Sequence, residues 1–585
     1  MDGGALVAEF LKARGVDFLY TLCGGHISPI LVGCKQRGIR VIDVRHEANA
    51  VFAADATARL TGKPGVAAVT AGPGVTNTIT AVKNAQLAQS PLILIGGAAP
   101  SLLKGRGALQ DIDQLSLFKP HVKWMRTVKR VRDIVPTLEN AWYISQQGAP
   151  GPVFVEMPLD VLFPQGVVRD WFGAKAQERG AKTMVEKATQ WYLRRHVNKV
   201  FQGISDDSNP AEAIGEPVPF KVKRISEAKI NRVARELSKA KKPVMLIGSQ
   251  ATLAPSGMKA LVRAVESLRV PVWLSGMARG LLGKDHELHL RHKRKLALRE
   301  ADLVILCGAV CDFRLDYGNH ISKKAFYVNV NREKAAVTLN KQPHVPMVGD
   351  PAYFVQALAG SMEHHPRDPA TESWLAALKE RDSARNGEIE AQATQTTDGL
   401  NPVKLCQDIE DCLRDESIIV ADGGDFVATA SYITQPRGPL CWLDPGPFGT
   451  LGVGGGFALG AALCRPKSDV WIIYGDGSSA YTLAEWDTFT RHQIGLVAVV
   501  GNDASWRQIA RDQVTILKDA VGTELRYTDY HQVAQGFGGE GFLLNDPAET
   551  DQVLETSLSM ARRGRPVLIN AIIGKTEFRK GSISM

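Results

Sequence analysis

Short uninterrupted runs of apolar residues, most of them followed by glycine or an acidic residue, recur along the 585-residue chain. Such runs between turn residues predict short buried strands. The stretches between them have helical character, which predicts helices alternating with strands. The runs interpreted as strands are VAAVTA, PLILIGG, PVFVEMP, PVMLIGS, PVWLSG, DLVILCG, AFYVNV, SIIVADGG, DVWIIYGDG, GLVAVVGND and PVLINAII. The predicted fold is α/β, with three doubly wound domains and mostly parallel sheets.

The predicted strands fall into three blocks, and the sequences between the blocks lack the pattern. We predict a first domain at residues 1–165, a middle domain at 226–365 and a last domain at 399–585. An insert at 166–225 and a polar, charged linker at 366–398 separate them. The first and last domains have a similar build, although their sequences are not obvious repeats.

The insert contains one segment with helical periodicity, MVEKATQWYLRRHVNKVFQGI. Cations stand between its apolar positions, which predicts an amphipathic basic helix. Such a helix packs against its own protein or lies on a membrane surface. The apolar positions are Val185, Ala188, Leu193, Val197, Val200 and Ile204, and the cations are Lys187, Arg194, Arg195 and Lys199.

Composition narrows the functional classes without changing the predicted fold. The eight cysteines form no CxxC pair or regular framework, which predicts reduced, mostly structural thiols. The net charge is +9, and cations gather at residues 119–133 and 291–295. Such runs are solvated faces, or they bind a polyphosphate or an anionic membrane. Nucleic acid is not an expected partner, because no recognition motif accompanies the charge.

Two predicted strands near the C-terminus end in residues that suit a metal site. Asp476 stands in a Gly-Asp-Gly turn after VWIIY, and Asn502 follows GLVAVV. The carboxyl ends of parallel strands open onto a common crevice, so these side chains should lie at one edge of the sheet. Hard oxygen ligands and the free N–H groups of a glycine turn suit a magnesium diphosphate. The alternative interpretation is an ordinary turn after a strand.

The spacing of this motif resembles a known signature, because 24 residues lie between GDG and Asn502. It is similar to the thiamine-diphosphate signature. RHEANAVFAADATARLTGKPGVAAVTAGPGVTN (45–77) resembles the pyrimidine-binding domain of the acetolactate synthase superfamily. DPGPFGTLGVGGGFALGAALC (444–464) resembles that superfamily's segment upstream of GDG. The resemblance covers nearly the whole chain apart from the insert, and it implies thiamine diphosphate and Mg²⁺ as cofactors.

The resemblance implies roles for residues of the first domain. Glu47 corresponds to the carboxylate that protonates the aminopyrimidine ring of the cofactor. Gln110, in GRGALQDIDQ, matches a glutamine near the reacting carbon. His26, in CGGHISP, acts in proton transfer or is a structural histidine.

The resemblance also implies the residues that hold the cofactor in the last domain. Asp476, Asn502 and the backbone carbonyl of Ala504 would bind Mg²⁺. The bulky Leu451 would hold the cofactor in its bent conformation, with the Gly449 carbonyl and the Leu451 N–H on the aminopyrimidine. Asp425 is an acidic residue where the family usually has a neutral or basic one. The expected diphosphate contacts are Gly424, Asp425, Gly475, Asp476, Gly477, Ser478 and Ser479.

The middle domain favours one branch of this superfamily. Residues 276–318 resemble the middle domain of 2-hydroxyacyl-CoA lyases. This implies cleavage of the C1–C2 bond of a 2-hydroxyacyl-CoA through a thiamine ylide, giving formyl-CoA and an aldehyde one carbon shorter. The alternative enzyme is an acetolactate-synthase-like carboligase acting on pyruvate. Its flavin (FAD) is not expected here, although CDFRLDYG is similar to the flavin region of those synthases. A non-enzymatic alternative is a cofactor-free regulatory subunit.

The same resemblance implies partners and a location. The substrate would be an acyl-CoA, with cations of residues 291–295 on its phosphates. A homodimer or homotetramer would share each active site between subunits, with Glu47 from one chain and Asp476 from another. The location would be the endoplasmic reticulum membrane if the native chain carries an N-terminal anchor, and otherwise the cytoplasm. The basic insert is a second route to a membrane.

Overall fold

The computed structural model describes residues 2–177, 183–202, 214–219, 222–363 and 365–579. Three β-sheets form within these residues, and every strand pair in them is parallel. The predicted fold class of three parallel α/β domains is therefore confirmed. The chain divides into two compact units, one of residues 1–58 and 63–220 and one of residues 59–62 and 221–585.

The first unit holds a six-stranded sheet in the order β2-β1-β3-β4-β6-β5. Its central strands β3 and β4 are buried along their whole length, which explains their uninterrupted apolar sequence. The strands are β1 (Phe18–Leu22), β2 (Arg40–Asp43), β3 (Gly65–Val69), β4 (Leu92–Ala98), β5 (Trp124–Thr127) and β6 (Pro152–Pro158). The helices are α1 (Gly3–Ala13), α2 (Ser28–Gln36), α3 (Glu47–Thr61), α4 (Pro73–Thr76), α5 (Ile79–Ala88), α6 (Gln114–Phe118), α7 (Ile134–Gln146), α8 (Leu159–Leu162), α9 (Gln165–Gln177) and α10 (Met184–Val200).

The second unit begins with a five-stranded sheet in the order β11-β10-β9-β7-β8. Its strands are β7 (Pro243–Ile247), β8 (Val272–Leu274), β9 (Leu303–Cys307), β10 (Phe326–Asn331) and β11 (Val345–Val348). The accompanying helices are α11 (Glu227–Lys239), α12 (Met258–Leu268), α13 (Arg294–Glu300), α14 (Lys334–Val337), α15 (Pro351–Met362) and α16 (Ala370–Ala393). Helices α11, α12 and α15 bury apolar stripes against this sheet and close one hydrophobic core.

The same unit ends with a six-stranded sheet in the order β13-β12-β14-β15-β17-β16. Its strands are β12 (Ile418–Asp422), β13 (Trp442–Leu443), β14 (Val470–Gly475), β15 (Leu496–Asn502), β16 (Glu540–Leu544) and β17 (Pro566–Ile572). Its helices are α17 (Pro402–Cys412), α18 (Asp425–Ile433), α19 (Gly454–Cys464), α20 (Asp476–Ser479), α21 (Glu485–His492), α22 (Arg507–Leu517), α23 (Tyr530–Gly536) and α24 (Thr550–Ala561). The order places β12, β14 and β15 side by side with their carboxyl ends at one edge.

Two segments differ from the sequence-based expectation. The predicted linker contains the 24-residue helix α16, because Trp374, Leu375 and Leu378 are buried in the middle core. The insert forms α10 as predicted, but only part of its apolar stripe is covered. Val197 and Val200 are buried, whereas Val185 and Ala188 are exposed, as are the cations Lys187, Arg194, Arg195 and Lys199. Ile204 lies outside the described residues.

All eight cysteines are free thiols, in agreement with the absence of a disulfide framework in the sequence. Across the residues that the structure describes, no helix combines the length and the apolar character needed to cross a bilayer.

Candidate active site

Glu47 is the first residue of α3 and its side chain is buried. Its Oε2 accepts a 2.9 Å hydrogen bond from the Nδ2 of Asn77, which follows α4. A Cβ at Gly74 would lie 3.6 Å from the other oxygen, Oε1. The same Cβ would lie 2.8 Å from Cγ2 of Thr70, so a glycine at this position lets α4 pack against Thr70, beside the carboxylate. Asn77 holds one oxygen of Glu47 in place and leaves Oε1 for another proton donor or acceptor.

His26 lies in the loop that follows β1, next to the segment between β3 and α4. Its Nδ1 is 3.0 Å from the hydroxyl oxygen of Thr70, the residue that follows β3. Burial lowers the pKa of His26 below its ordinary value, so the ring is neutral near pH 7. A neutral imidazole joined to a hydroxyl can accept or donate a proton, which agrees with both interpretations of this residue.

Gln110 sits in a loop with a left-handed backbone, at φ +63°. A Cβ on Gly72 would come within 2.8 Å of the Gln110 carbonyl oxygen, so only glycine lets these two loops meet. The Gly72 N–H also donates a 3.0 Å hydrogen bond to Oε1 of Gln114. The loop that carries Gln110 therefore packs directly on the turn that precedes α4.

Gln114 connects this turn to a buried carboxylate that the sequence analysis did not single out. Its Nε2 donates to the Gly97 carbonyl at 3.1 Å and to Glu156 Oε1 at 3.0 Å. The other Glu156 oxygen accepts from Lys104 Nζ and from the Thr127 hydroxyl, each at 2.7 Å. A fully buried carboxylate is stable only when such partners compensate its lost hydration. These hydrogen bonds hold the side chain of Gln114 in place, and Gln114 in turn holds the turn at Gly72.

Asp476 begins the short helix α20 at the carboxyl end of β14 and is buried. Its Oδ1 accepts from the Gly477 N–H at 2.7 Å, and its Oδ2 accepts from the Ser505 N–H at 3.1 Å. Burial, with the nearby Asp503 charge second, raises its pKa to about 6. The chain thus holds a carboxylate at a position where a bound cation would strongly favour the ionised form.

Asn502 ends the neighbouring strand β15 and is fully buried. Its Nδ2 donates to Asn570 Oδ1 at 3.0 Å and to the Thr528 carbonyl at 3.3 Å. Its Oδ1 accepts from the Ala504 N–H at 3.2 Å. Ala504 has a left-handed backbone, at φ +53°, which turns the loop back over the strand end. These bonds orient the amide with its oxygen towards the loop.

The two serines after GDG use their hydroxyls to stabilise the turn. The Ser478 hydroxyl donates to the Asp422 carbonyl at 2.6 Å, and the Ser479 hydroxyl donates to the Asp476 carbonyl at 2.8 Å. Their contribution to a diphosphate would therefore come from backbone N–H groups, which the first turn of a helix leaves without intrahelical acceptors. A Cβ at Gly477 would lie 2.5 Å from the Trp506 ring, so the indole covers this turn.

Gly424 and Asp425 form the start of α18 after β12. A Cβ at Gly475 would lie 3.5 Å from the Gly424 nitrogen, so these two turns lie next to each other. The carboxylate of Asp425 pairs with the guanidinium of Arg511 on α22. This ion pair neutralises the acidic group that departs from the family pattern.

Gly449 and Leu451 lie in the loop before α19. Gly449 has a left-handed backbone, at φ +63°, and Leu451 is half-buried. The N–H groups of Gly452 and Gly454, which follow Leu451, donate to the two carboxylate oxygens of Asp422, at 3.1 and 2.7 Å. Burial raises the pKa of Asp422 to about 7. Asp422, which the sequence analysis did not single out, thus joins the end of β12 to the loop that carries Leu451.

The donor set at the ends of β14 and β15 fits a divalent cation with a diphosphate. A carboxylate, an amide oxygen and a backbone carbonyl are hard oxygen ligands of the kind that Mg²⁺ takes. The buried Asp476 and Asp503 repel each other, and a bound cation would compensate both charges. No cluster of three or more His, Cys, Asp or Glu side chains able to hold a metal occurs within the described residues. Asp476, Asn502 and the Ala504 carbonyl are only three ligands, so an octahedral ion would have positions left for phosphate oxygens.

A basic cavity of about 600 Å³ lies elsewhere in the second unit. Arg291 donates to the Ile433 carbonyl at 2.9 Å, and Arg294 donates to the Arg314 carbonyl at 2.7 Å. Burial lowers the pKa of both guanidinium groups, so a bound anion would compensate the hydration that these cations have lost. The cations that line the cavity include Arg279, Arg291, Lys293, Arg294, Lys295, Arg314 and Arg385.

The residues that sequence reasoning missed share one property. Asn77, Asp422, Gln114 and Glu156 act on residues that are distant in sequence, so no local spacing marks them. One signal was available: Asp422 stands between the apolar part of a predicted strand and a glycine, as Asp476 does.

Three family models match the chain. Residues 1–117 match the N-terminal TPP binding domain of thiamine pyrophosphate enzymes. Residues 230–358 match their central domain, and residues 422–571 match their C-terminal TPP binding domain. The matched ranges contain Glu47 and His26 in the first domain, and Asp476 and Asn502 in the last.

Similar proteins cover the whole length of the chain. A protein of Danio rerio named 2-hydroxyacyl-CoA lyase 2 is 51% identical over 590 residues, which is 100% of this chain and 93% of the relative. The Homo sapiens protein of the same name is 49% identical, over 100% of this chain and 92% of the relative. A probable acetolactate synthase of Mycobacterium bovis is 32% identical, over 98% of this chain and 96% of the relative.

Proposed function

The chain belongs to the thiamine pyrophosphate enzyme family, and we propose that it is a carbon–carbon lyase that cleaves 2-hydroxyacyl-CoA. The products would be formyl-CoA and an aldehyde one carbon shorter than the acyl group. Such a reaction would shorten 2-hydroxy fatty acids by one carbon, as in fatty acid α-oxidation. The observation that carries the proposal is the full-length similarity to relatives named as such lyases, at 47–51% identity.

The chain's own residues support binding of thiamine diphosphate with Mg²⁺. Asp476, Asn502 and the Ala504 carbonyl would hold the ion, and the N–H groups after Asp476 would meet phosphate oxygens. Gly424 and Gly475 add no side chains at the ends of β12 and β14, beside these N–H groups. When bound, the cofactor supplies the nucleophilic carbon and accepts the electrons released by C1–C2 cleavage.

Glu47 would serve as the carboxylate that exchanges a proton with the aminopyrimidine. Asn77 fixes one of its oxygens, and burial removes water that would compete for the other. His26 has a neutral ring on Thr70, so it is a candidate to move a proton at the substrate. Gln110 lies on the neighbouring loop, and its amide would hydrogen-bond near the reacting carbon. Leu451 would contact the cofactor from the loop that Asp422 fixes.

The basic cavity suggests where the CoA part of the substrate binds. Coenzyme A carries several phosphate charges on its nucleotide end, and the cavity brings at least six cations together in about 600 Å³. Lys293 and Lys295 are the more exposed cations of the 291–295 run. Arg291 and Arg294 donate hydrogen bonds to backbone carbonyls of neighbouring segments. We therefore assign the CoA phosphates to this cavity as part of the proposal.

We further propose a homodimer or homotetramer in which two subunits build each active site. Glu47 belongs to the first compact unit and Asp476 to the second, and membership of this family supports a site completed between chains. The proposed location is the endoplasmic reticulum membrane if the native chain carries an N-terminal anchor, and the cytoplasm otherwise. Fractionation of cells that express the native open reading frame distinguishes these two locations.

The decisive experiment supplies purified protein with thiamine diphosphate, Mg²⁺ and a panel of 2-hydroxyacyl-CoAs, with pyruvate in parallel. Formation of the shortened aldehyde together with formyl-CoA supports the lyase. Formation of acetolactate from pyruvate, in a yellow protein with flavin absorbance, would replace it with the carboligase. Absence of turnover with both substrate classes, in protein shown to bind the cofactor, would point to a regulatory subunit.

A further inference from the structure

Helix α10 is attached to the first unit through one face. Val197 and Val200 on this face are buried in the core of that unit. His196 adds a polar attachment, because its Nε2 lies 2.9 Å from the Ser101 hydroxyl oxygen. Phe172 of α9 meets the His196 ring edge-on, with ring centroids 6.5 Å apart. The helix is therefore held in a defined orientation, and its opposite face is presented to the surroundings.

The opposite face is unusually apolar for a protein surface. Met184 is 83% exposed, Val185 76%, Trp191 61% and Tyr192 55%. With 3.6 residues per turn, Met184 and Trp191 point away from Val197 and Val200, and Val185 and Tyr192 flank them. Large exposed groups in one contiguous patch mark an interaction surface, whereas single exposed apolar residues do not.

The charge on this face has one sign. Lys187, Arg194, Arg195 and Lys199 are exposed around the aromatic pair, and the Arg195 guanidinium lies 5.2 Å from the centroid of the Trp191 ring. The only acidic residue within α10 is Glu186. It closes a capping box with Thr183 at the start of the helix, and its position is about 140° around the helix from that of Trp191. The outward face thus combines interfacial aromatic groups with cations and carries no acid of its own helix.

We propose that the outward face of α10 docks on an anionic lipid surface. Tryptophan and tyrosine favour the level of the lipid headgroups, where their rings are in an apolar region and their polar atoms are hydrated. Met184 and Val185 add apolar area, and the four cations meet acidic headgroups. An acidic protein would satisfy the cations but would leave the exposed methionine, valine and aromatic groups without apolar partners. This proposal is independent of the reaction that the active site performs.

The test is co-sedimentation of the full-length protein, loaded with its cofactors, with phosphatidylcholine vesicles that contain or lack phosphatidylserine. Binding should require phosphatidylserine and weaken as the salt concentration rises, because salt screens the attraction. The triple variant Lys187→Gln, Arg194→Gln, Lys199→Gln should bind about 100-fold more weakly, since each cation near such a surface contributes about a fivefold factor. Trp191→Ser with Tyr192→Ser should lose binding even at low salt.

A matched variant removes charge from another exposed helix. Lys259 and Arg263 lie on the exposed side of α12, and Lys259→Gln with Arg263→Gln should leave vesicle binding unchanged. All variants should retain the thermal unfolding temperature of the parent protein, because the substituted side chains are exposed. Equal binding of the α10 variants and the parent would overturn the proposal. A change in oligomeric mass without any vesicle binding would also overturn it, in favour of an interface between copies of the chain.

Discussion

The carboxylate of Asp422 accepts a 2.7 Å hydrogen bond from the N–H of Gly454, 32 residues further along the chain. A second bond, from the Gly452 N–H at 3.1 Å, holds the segment that directly follows Leu451. Because Ser478 also donates to the Asp422 carbonyl, one residue connects the loop of Leu451 with the turn of Asp476. The two halves of the proposed cofactor site in the last domain are thus fixed relative to each other.

Asp422 should give the cofactor-free protein a defined pH dependence of stability. Burial raises its pKa to about 7, whereas an aspartate in the unfolded chain titrates near pH 3.9. Between these values the folded protein holds a proton that the unfolded chain has released, so this residue's contribution to the free energy of unfolding falls as the pH rises from about 4 to 7. Above about pH 7 both forms are ionised and the contribution is constant.

Asp422→Asn removes this titration and isolates its effect. The free energy of unfolding, measured in urea on cofactor-free protein at pH 5 to 8, should be compared between parent and variant. The advantage of the parent over the variant should be largest at pH 5 and decrease towards pH 7. A difference that stays constant across this range would show that Asp422 is ionised throughout.

Replacement of Asp476 by alanine should weaken binding of the metal and diphosphate. The variant removes the only carboxylate among the three proposed ligands of the ion. Replacing a residue that only hydrogen-bonds to a metal ligand already lowers metal affinity or activity by about 10–100-fold. We expect thiamine diphosphate affinity to fall by at least about 100-fold, measured by fluorescence titration after dialysis with a chelator. Asp487→Ala is the matched control, because this carboxylate pairs with Arg491 on α21 at 2.8 Å. Normal cofactor retention in Asp476→Ala would refute the assignment.

Removal of cofactor should lower the stability of the parent protein but not that of Asp476→Ala. A ligand at concentration L that binds only the folded state stabilises it by RT ln(1 + L/Kd), which is about 2.7 kcal/mol when the ligand concentration is 100-fold above Kd. The thermal unfolding temperature of the parent should therefore rise when thiamine diphosphate and Mg²⁺ are added together. An equal rise in Asp476→Ala would place the binding site elsewhere.

Glu47→Gln should separate cofactor binding from chemistry. The glutamine oxygen still accepts the hydrogen bond from Asn77, so the local structure is kept. It cannot carry the carboxylate's charge or its proton, and turnover should fall by about 10²–10⁴-fold, the usual contribution of a general acid–base group. Thiamine diphosphate affinity should change little. Retention of full turnover would remove Glu47 from the proposed mechanism.

The shared site predicts that two inactive variants complement each other. Glu47→Gln and Asp476→Ala subunits should each have little activity when pure. If each site takes Glu47 from one chain and Asp476 from the other, a mixed dimer contains one intact site and one doubly altered site. Activity should appear after subunit exchange, which differently tagged subunits can verify by co-purification. No recovery in verified mixed dimers would contradict a site shared between chains.

The cations of the basic cavity should affect substrate binding more than turnover. Lys293→Gln with Lys295→Gln should raise KM for a 2-hydroxyacyl-CoA, while kcat changes little, because CoA phosphates lie away from the reacting carbons. The dependence of KM on salt should become smaller in the variant. Lys259→Gln with Arg263→Gln, which removes the same charge from α12, should behave as the parent. A KM equal to that of the parent at all salt concentrations would show that the 291–295 run is an ordinary solvated surface.

Much of the fold could be read from the chain because its sheets are parallel and buried on both faces. Strands such as β14 and β15 are then uninterrupted apolar runs that stand out locally. The two-residue β13 and the partly exposed edge strand β16 lack such runs, so they were not predicted. Helix α16 was interpreted as a linker because most of its residues are polar, and only its contacts through Trp374 and Leu375 reveal its place in the middle core.

The sequence by itself determined the residues whose roles depend on a strand end or a short spacing. Asp476 and Asn502 belong to this group, because each follows an apolar strand and the distance between them is a signature. Only the tertiary structure decided how Asn77 meets Glu47, how Asp422 meets Gly454 and which cations surround the basic cavity. Hydrophobic periodicity is a local property of a chain, whereas a hydrogen bond between distant segments depends on strand order and on the paths of the loops that the order brings together.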